Sequence, residues 1–152
     1  MLFSATYAWL LLPAFLLIGC QVTRPSNLGF REGKLAPCPM SPNCVSSQAP
    51  DNDHHVEPLP YAGTAAEAMA KLSAIVRSLP RTAIVTEKQD YLHAEFTSAF
   101  FRFTDDGEFL VDDAAKVIHV RSASRVGHSD LGVNRRRIEL IRRRWLEAPP
   151  AS

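Results

Sequence analysis

Charged side chains are absent from residues 1–20, and the densest apolar run of the chain, Leu10–Ile18, lies in that stretch. A segment without charge does not supply the surface of a water-soluble domain, so we exclude residues 1–19 from the fold and interpret them as a signal peptide. The same stretch is nearly long enough to span a bilayer, so an uncleaved anchor helix is the alternative.

The end of this stretch resembles a lipobox. Leu17-Ile18-Gly19-Cys20 has an aliphatic residue, then small Gly19 beside the cut, then the thiol that takes the lipid. Two or more acyl chains give stable membrane attachment, whereas one gives only marginal binding. We therefore expect a protein that is anchored to the membrane of the cell envelope through lipidated Cys20 and faces the periplasm. Gln21 slightly favours the outer membrane.

Cysteine is scarce, with three residues in the chain. After Cys20, only Cys38 and Cys44 remain, and an even pair in an exported protein favours a disulfide. Zinc or copper ligation by the two cysteines with His54 and His55 is the alternative. Their spacing matches no familiar zinc finger, so we predict no metal site.

The chain also lacks excess charge and cofactor motifs. The net charge is +1, which gives no global field to attract nucleic acid. No P-loop, dinucleotide fingerprint or haem-attachment motif is present, so the sequence predicts no cofactor and no nucleic-acid partner.

Proline is concentrated in one region, because seven of the 11 prolines lie between Pro25 and Pro60. Proline removes backbone donors and restricts its neighbours, so helix is not expected there. We predict a lipidated tether over residues 20–34 and an extended, disulfide-stapled segment over 35–61 that lies over the domain. A single domain is predicted over 35–147, and its core covers 63–147. Residues 148–152 form a tail.

The core begins with a helix that starts at a capping box, Thr64 and Glu67, and stops at Pro80. Short β-branched and aromatic runs follow and predict strands at 82–88, 91–97, 100–104, 108–112 and 116–122. Asp105-Asp106-Gly107 is a strong turn signal. We expect one face of the sheet to bury these apolar residues: Phe101, Phe103, Phe109, Val111, Ile118 and Val120.

A final Arg-rich helix is predicted over Gly132–Glu147, with Ile138, Ile141 and Trp145 on one face. Short connections require antiparallel pairing. The fold class is therefore α+β: an antiparallel meander of about four strands, flanked by an N-terminal and a C-terminal helix and preceded by the proline-rich extended segment.

Two stretches, Leu35–Ser47 (LAPCPMSPNCVSS) and Val120–Ile138 (VRSASRVGHSDLGVNRRRI), together with Phe103–Asp112, carry a family resemblance. The chain resembles the uncharacterised-domain family numbered 1499, found in bacterial and plastid proteins, over Leu35–Arg144. Where relatives often have Gly-Tyr-Ser-Asp, this chain has Gly127-His128-Ser129-Asp130, with histidine in place of the tyrosine. The resemblance implies a small exported or membrane-associated domain and brings no established activity.

The stretch from Arg121 to Arg136 is the candidate ligand site, because guanidiniums and hydroxyls gather there beside a helix start, where backbone donors attract anions. The candidate binding residues are Arg121, Ser122, Ser124, Arg125, Ser129, Asp130, Asn134 and Arg135. The alternative is structural: Ser129 or Asp130 caps the helix, and Arg121 pairs with Asp112 or Asp113.

We predict a non-enzymatic binding domain for a polar or anionic ligand, a lipid headgroup or an envelope partner, with no catalytic residues assigned. Anionic headgroups could contact Arg135, Arg136, Arg142 and Arg143 of the last helix. One alternative is a hydrolase in which Ser129 follows Gly127-His128 in an incomplete nucleophile elbow. Its base would be His93, His119 or His128. A purely structural envelope protein is the other alternative.

Overall fold

The computed structural model describes residues 23–148, so the predicted signal peptide, the lipobox with Cys20 and most of the tail lie outside the described residues. The elements in chain order are β1 (Phe30–Arg31), β2 (Lys34–Leu35), β3 (Cys44–Ser46), β4 (Leu59–Pro60), α1 (Ala65–Arg77), β5 (Thr82–Glu87), β6 (Tyr91–Thr97), β7 (Thr104–Asp112), β8 (Val117–Ser124) and α2 (Val133–Glu147). Neither helix combines the length and the apolar character needed to cross a bilayer.

The main sheet is antiparallel and has six strands, in the order β3-β8-β7-β6-β5, with β4 also paired to β8. The predicted α+β class is confirmed. The predicted sheet of about four strands is corrected, because the proline-rich segment itself contributes β3 and β4. Helix α1 therefore follows two strands of the sheet in chain order instead of preceding all of them.

Helix α1 begins as its sequence predicts. The backbone N–H of Glu67 donates to Oγ1 of Thr64 at 3.2 Å, and the N–H of Thr64 donates to Oε2 of Glu67 at 2.8 Å. Both bonds satisfy donors that a helix start leaves unpaired. Its buried face carries Met69, Leu72 and Val76.

One face of the sheet packs against both helices. Phe109, Ile118 and Val120 are fully buried there, as predicted, with Ile138, Ile141 and Trp145 of α2 in the same core. The expectation for two other aromatic residues was wrong: Phe101 is 78% exposed and Phe103 is 50% exposed.

The reason is that the turn was predicted at the wrong residues. Asp105-Asp106-Gly107 lies inside β7, and the chain reverses instead over the loop 98–103, so the strand predicted at 100–104 does not form there. Gly107 is needed for a close approach, because a Cβ at this position would lie 2.5 Å from Cε2 of Phe96 on β6. The glycine therefore makes room for a cross-strand ring and does not form a turn.

The opposite face of the sheet is covered by the chain before β3. Leu35 packs with Tyr91 and Leu110 in a small second core. The predicted Cys38–Cys44 disulfide is present and ties this covering segment to β3. Polar groups on that face of the sheet are consequently removed from water.

Candidate functional site

The covered face carries charged side chains from the three central strands. Alternation along a strand sends every second residue to the same face. Register places His93 opposite Glu108, Glu95 opposite Asp106 and Glu108 opposite Arg121. His93, Asp106, Glu108 and Arg121 are all at least 95% buried. We call this set, with Glu95 and Arg125, the buried charge network.

Arg125 is at the centre of the network. Its Nε donates to Oδ2 of Asp106 at 2.8 Å and its Nη2 to Oδ1 at 2.7 Å, a two-pronged pair. The same Nη2 also donates to Oε1 of Glu95. Arg24, in the covering segment, donates to that Glu95 oxygen at 2.9 and 2.7 Å. Two carboxylates on neighbouring strands are thereby neutralised by two arginines.

Glu108 is the second centre of the network and accepts three hydrogen bonds. Oε1 accepts the hydroxyl of Tyr91 and the backbone N–H of Gly29, each at 2.7 Å, and Oε2 accepts Nη1 of Arg121 at 2.9 Å. Arg121 was expected to pair with Asp112 or Asp113. It pairs with Glu108 instead, because Glu108 is its direct cross-strand neighbour on the same face.

Arg121 is incompletely bonded. Its Nε is buried and has no hydrogen-bond acceptor among the described residues. A guanidinium has five N–H donors, and the single acceptor found here is Glu108. Arg121 also lines a cavity of about 330 Å³ between the covering segment and the sheet, together with Pro25, Asn27, Pro37, Cys38, Pro39, Asp106, Ala123, Ser124 and Arg125. We call this space the Arg121 cavity.

The network fixes the ionisation of its acids. Burial alone would raise the pKa of the Asp106 carboxyl, but hydrogen bonds from Arg125 and His93 outweigh it and hold that pKa below 3.8. Burial likewise opposes ionisation of Glu95, and Arg125 and Arg24 lower its pKa below 4.5. Burial and the hydrogen bond to Glu108 raise the pKa of the Tyr91 phenol well above 10.0. Asp106 and Glu95 are therefore charged at neutral pH, and Tyr91 is a neutral donor.

His93, Glu95 and Asp106 are also the residues that could ligate a metal ion, because one ligand atom from each lies within 4.8 Å of the others. Nε2 of His93 is 2.8 Å from Oδ1 of Asp106. Both carboxylates, however, already bind the guanidinium of Arg125. In this structure that arginine supplies the positive charge that the cluster requires.

The predicted ligand residues are divided between the two faces of the sheet. Arg121, Ser124 and Arg125 line the Arg121 cavity, and the Ser124 hydroxyl also accepts a hydrogen bond from Nδ2 of Asn134 on the helix side. Ser122 and Asn134 are fully buried on the helix side, where the Ser122 hydroxyl donates to Oδ1 of Asn134 at 2.6 Å. Asp130 lies two residues before Gly132, the N-cap of α2, and its Oδ2 accepts the N–H of Asn134 at 2.8 Å in the first turn of the helix.

Three of the six arginines of α2 donate to the protein's own carbonyl groups. Arg135 donates to the carbonyls of His55 and Asp53, at 2.8 and 2.6 Å. Arg136 donates to the carbonyl of Leu131, and Arg142 to those of Pro58 and Glu57. Arg143 is exposed. Arg135 and Arg142 therefore attach α2 to the segment that leads into β4.

Ser129, the candidate nucleophile, has no histidine partner in the described residues. Oγ of Ser129 accepts the N–H of Leu131 at 3.2 Å, and no histidine of residues 23–148 hydrogen-bonds it. Ser47 is 3.2 Å from Nδ1 of His119, which is 3.8 Å from Asp112. The Ser47 hydroxyl is buried and accepts the N–H of Val120 at 2.9 Å. This hydrogen bond connects the residue that follows β3 to β8.

A wider groove of about 1330 Å³ lies beyond Ser124 and Arg125, which line both spaces. Ser129, Asp130 and Val133 form one side of this groove. The other side is formed by the loop 98–103, which we call the aromatic loop, and Thr23 and Arg24 also line it. The predicted residues Ser129 and Asp130 thus border an open groove, separate from buried Arg121.

Sequence reasoning missed Arg24, Tyr91, Glu95, Asp106 and Glu108. The signal for three of them is visible in the alternation of charged residues: His93 and Glu95 on one strand, then Asp106 and Glu108 on the next. Spacing of two puts each pair on one face. The misplaced turn at Asp105-Asp106-Gly107 broke the second pair, so the common face was not recognised.

A family model described as a protein of unknown function (DUF1499) matches residues 34–144. This range includes every strand of the main sheet and all residues of the buried charge network. No curated protein and no solved structure matches the chain significantly.

Proposed function

This chain belongs to the DUF1499 family of proteins of unknown function, and we propose that it is a lipid-anchored envelope protein whose domain binds a small anionic group beside Arg121. The observation that carries the proposal is the buried Nε of Arg121, which lacks an acceptor in residues 23–148. Leaving a buried donor unpaired costs about 1–3 kcal/mol. A carboxylate or phosphate oxygen in the Arg121 cavity recovers that cost.

The two arginines of the cavity differ in the number of N–H donors that remain for a ligand. Arg125 is engaged with Asp106 and Glu95, so it holds the wall of the cavity. Arg121 has donors left over after its bond to Glu108. Guanidinium donors match the oxygens of carboxylate and phosphate in pairs. Arg121 is therefore the group that contacts the anion, and Arg125 positions the strands around it.

The size of the cavity limits the ligand. A volume of about 330 Å³ is at the lower end of the range for small-molecule sites. Arg121 is 5% exposed, so a flat bilayer surface does not reach it. The cavity accommodates a free anion or one charged substituent of a larger molecule, with the remainder directed towards solvent.

Anion binding is tested by calorimetry on the chain extracted from membranes in detergent. At constant ionic strength, phosphate or acetate is expected to raise the Tm of the wild type, since a ligand at 100 times its Kd stabilises by about 2.7 kcal/mol. Arg121→Gln should lose this increase, and Arg121→Lys should retain only part of it. Exposed Arg143 provides the matched control, Arg143→Gln.

The control also separates binding from a general salt effect. Phosphate stabilises many proteins because it is excluded from their surfaces. Such an effect would raise the Tm of wild type, Arg121→Gln and Arg143→Gln equally. Equal increases in all three, or none in the wild type, would contradict the proposed anion site.

The membrane anchor has a separate test. Replacing Cys20 by Ala removes the thiol that takes the lipid, so we expect the protein to leave the carbonate-washed membrane fraction or to accumulate as an unprocessed precursor. Mass spectrometry of the wild type should show acyl mass on Cys20. A wild-type protein that retains Met1 and carries no acyl mass would favour an anchor helix instead.

A further inference from the structure

The aromatic loop exposes large apolar side chains that the core does not use. Phe100, Phe101 and Phe103 are 93%, 78% and 50% exposed, respectively. The rings of Phe101 and Phe103 stack with centroids 5.6 Å apart. Isolated exposed apolar residues are ordinary, but a contiguous patch of them marks an interaction surface. Three phenylalanines at one loop tip form such a patch.

The loop is held firmly where it leaves the sheet. The N–H of Ser98 donates to the carbonyl of Phe103 at 2.8 Å, and the N–H of Phe103 donates to Oγ of Ser98 at 2.9 Å. These bonds close the base of the loop. The exposed rings are therefore presented by a defined turn, and their exposure does not result from fraying.

The chain enters the domain beside this loop. Thr23 and Arg24 line the same groove as Phe100–Phe103. Arg24 is fixed there by its bonds to Glu95, which lies three residues before Ser98. Cys20 precedes Thr23 by three residues, so their Cα atoms are at most roughly 11 Å apart. A lipid on Cys20 consequently brings the bilayer to the side of the domain that carries the aromatic loop.

We propose that the aromatic loop inserts into the outer part of the leaflet that holds the acyl chains of Cys20. This inference rests on the lipid anchor of the proposed function and is independent of the anion site. Aromatic rings are favoured in the interfacial layer of a membrane. Arg102, between Phe101 and Phe103, supplies a positive charge for anionic headgroups at the same depth.

A neighbouring turn strengthens the choice of a membrane. Leu131 is 84% exposed and follows Ser129 and Asp130, which line the opposite side of the groove. Exposed apolar side chains are therefore present both on the aromatic loop and on this turn. With the chain entry point beside them, these two tips define one face of the domain, which the bilayer covers.

The test places a tryptophan in the loop of the processed chain reconstituted into phosphatidylglycerol–phosphatidylethanolamine vesicles. We expect the emission added by Phe101→Trp to shift to the blue and to be largely quenched by brominated lipids. Leu146→Trp is the matched control, because Leu146 is also exposed, at 70%. It lies on α2 about 20 Å along the helix from Val133 of the groove. Its emission should be unaffected.

The outcomes separate the loop from the anchor, because the acyl mass on Cys20 is measured on the same sample. Quenching of Phe101→Trp but not of Leu146→Trp in an acylated sample supports loop insertion. A sample without acyl mass contradicts the lipid anchor of the proposed function and this inference with it. Absence of quenching in an acylated sample overturns loop insertion, as does equal quenching of both variants. A blue shift that depends on protein concentration in detergent, without quenching in vesicles, assigns the patch to a second copy and also overturns it.

Discussion

Replacing Arg125 by Met is expected to lower the free energy of unfolding by about 3–5 kcal/mol, the usual cost of removing one partner from a buried ion pair. The Arg125 side chain is 6% exposed and binds both oxygens of Asp106 as well as Glu95. Methionine retains an unbranched apolar stem but has no guanidinium and no charge, so two carboxylates would remain in the covered face with fewer donors. Urea denaturation followed by circular dichroism measures the change.

The pH dependence identifies the cause. The pKa values of Asp106 and Glu95 are lowered in the folded protein. A lowered pKa stabilises the fold above the ordinary value and ceases to do so as the pH falls through the folded value. The wild type should therefore lose stability below about pH 4.5. In Arg125→Met the carboxyls accept protons more readily, so its deficit relative to wild type should shrink on acidification.

A surface pair provides the control for this substitution. Arg77 of α1 also pairs with a carboxylate, Glu87, but the two side chains are 59% and 38% exposed. Exposed pairs contribute about 0–1 kcal/mol, so Arg77→Met should cost no more than that and show little dependence on pH. Similar losses for Arg77→Met and Arg125→Met would mean that the buried charge network adds nothing beyond a surface contact.

The local parts of the fold could be predicted because their signals are short-range. The capping box of α1 involves residues three apart, and the apolar period of α2 is read from one turn to the next. Strands β3 and β4 gave no such signal. They have three and two residues, and each exists through pairing with β8, more than 50 residues away in sequence.

The candidate site was predicted in part for a related reason. Arg121, Ser124 and Arg125 were recognised because they are close in sequence and share one type of chemistry. Their partners Glu108 and Asp106 come from the neighbouring strand, and the turn chemistry of Asp-Asp-Gly concealed that strand. Gly107 faces Phe96 across the sheet, a requirement that only the register between β6 and β7 reveals.

The role of residues 24–34 in covering the sheet was the largest omission, and it changes the meaning of the charged face. A residue pattern with charges on one strand face normally indicates a face open to water. Here Gly29 and Arg24 of that segment bind Glu108 and Glu95, so the charged face becomes an interior. The segment predicted as a tether, 20–34, therefore supplies partners for the buried network from residue 24 onward.

A second large effect is expected from Asn134→Asp at the start of α2. The Nδ2 group of Asn134, which is fully buried, lies 3.1 Å or less from three acceptors: the carbonyl of Asn43, Oγ of Ser124 and Oδ2 of Asp130. A carboxylate of the same shape has no hydrogen to donate and would face the Asp130 carboxylate. Because buried acceptors left unpaired cost about 1–3 kcal/mol each, the free energy of unfolding should fall by roughly 3 kcal/mol.

This substitution separates the role of the amide donor from the charge it introduces. Exposed Asn52 allows the same chemical change without burial, and Asn52→Asp should alter the unfolding free energy by less than about 0.5 kcal/mol. At low pH the introduced carboxyl is protonated and regains one donor, so part of the loss should be recovered there. An Asn134→Asp protein as stable as Asn52→Asp at neutral pH would show that β3, β8 and α2 are held together without this amide.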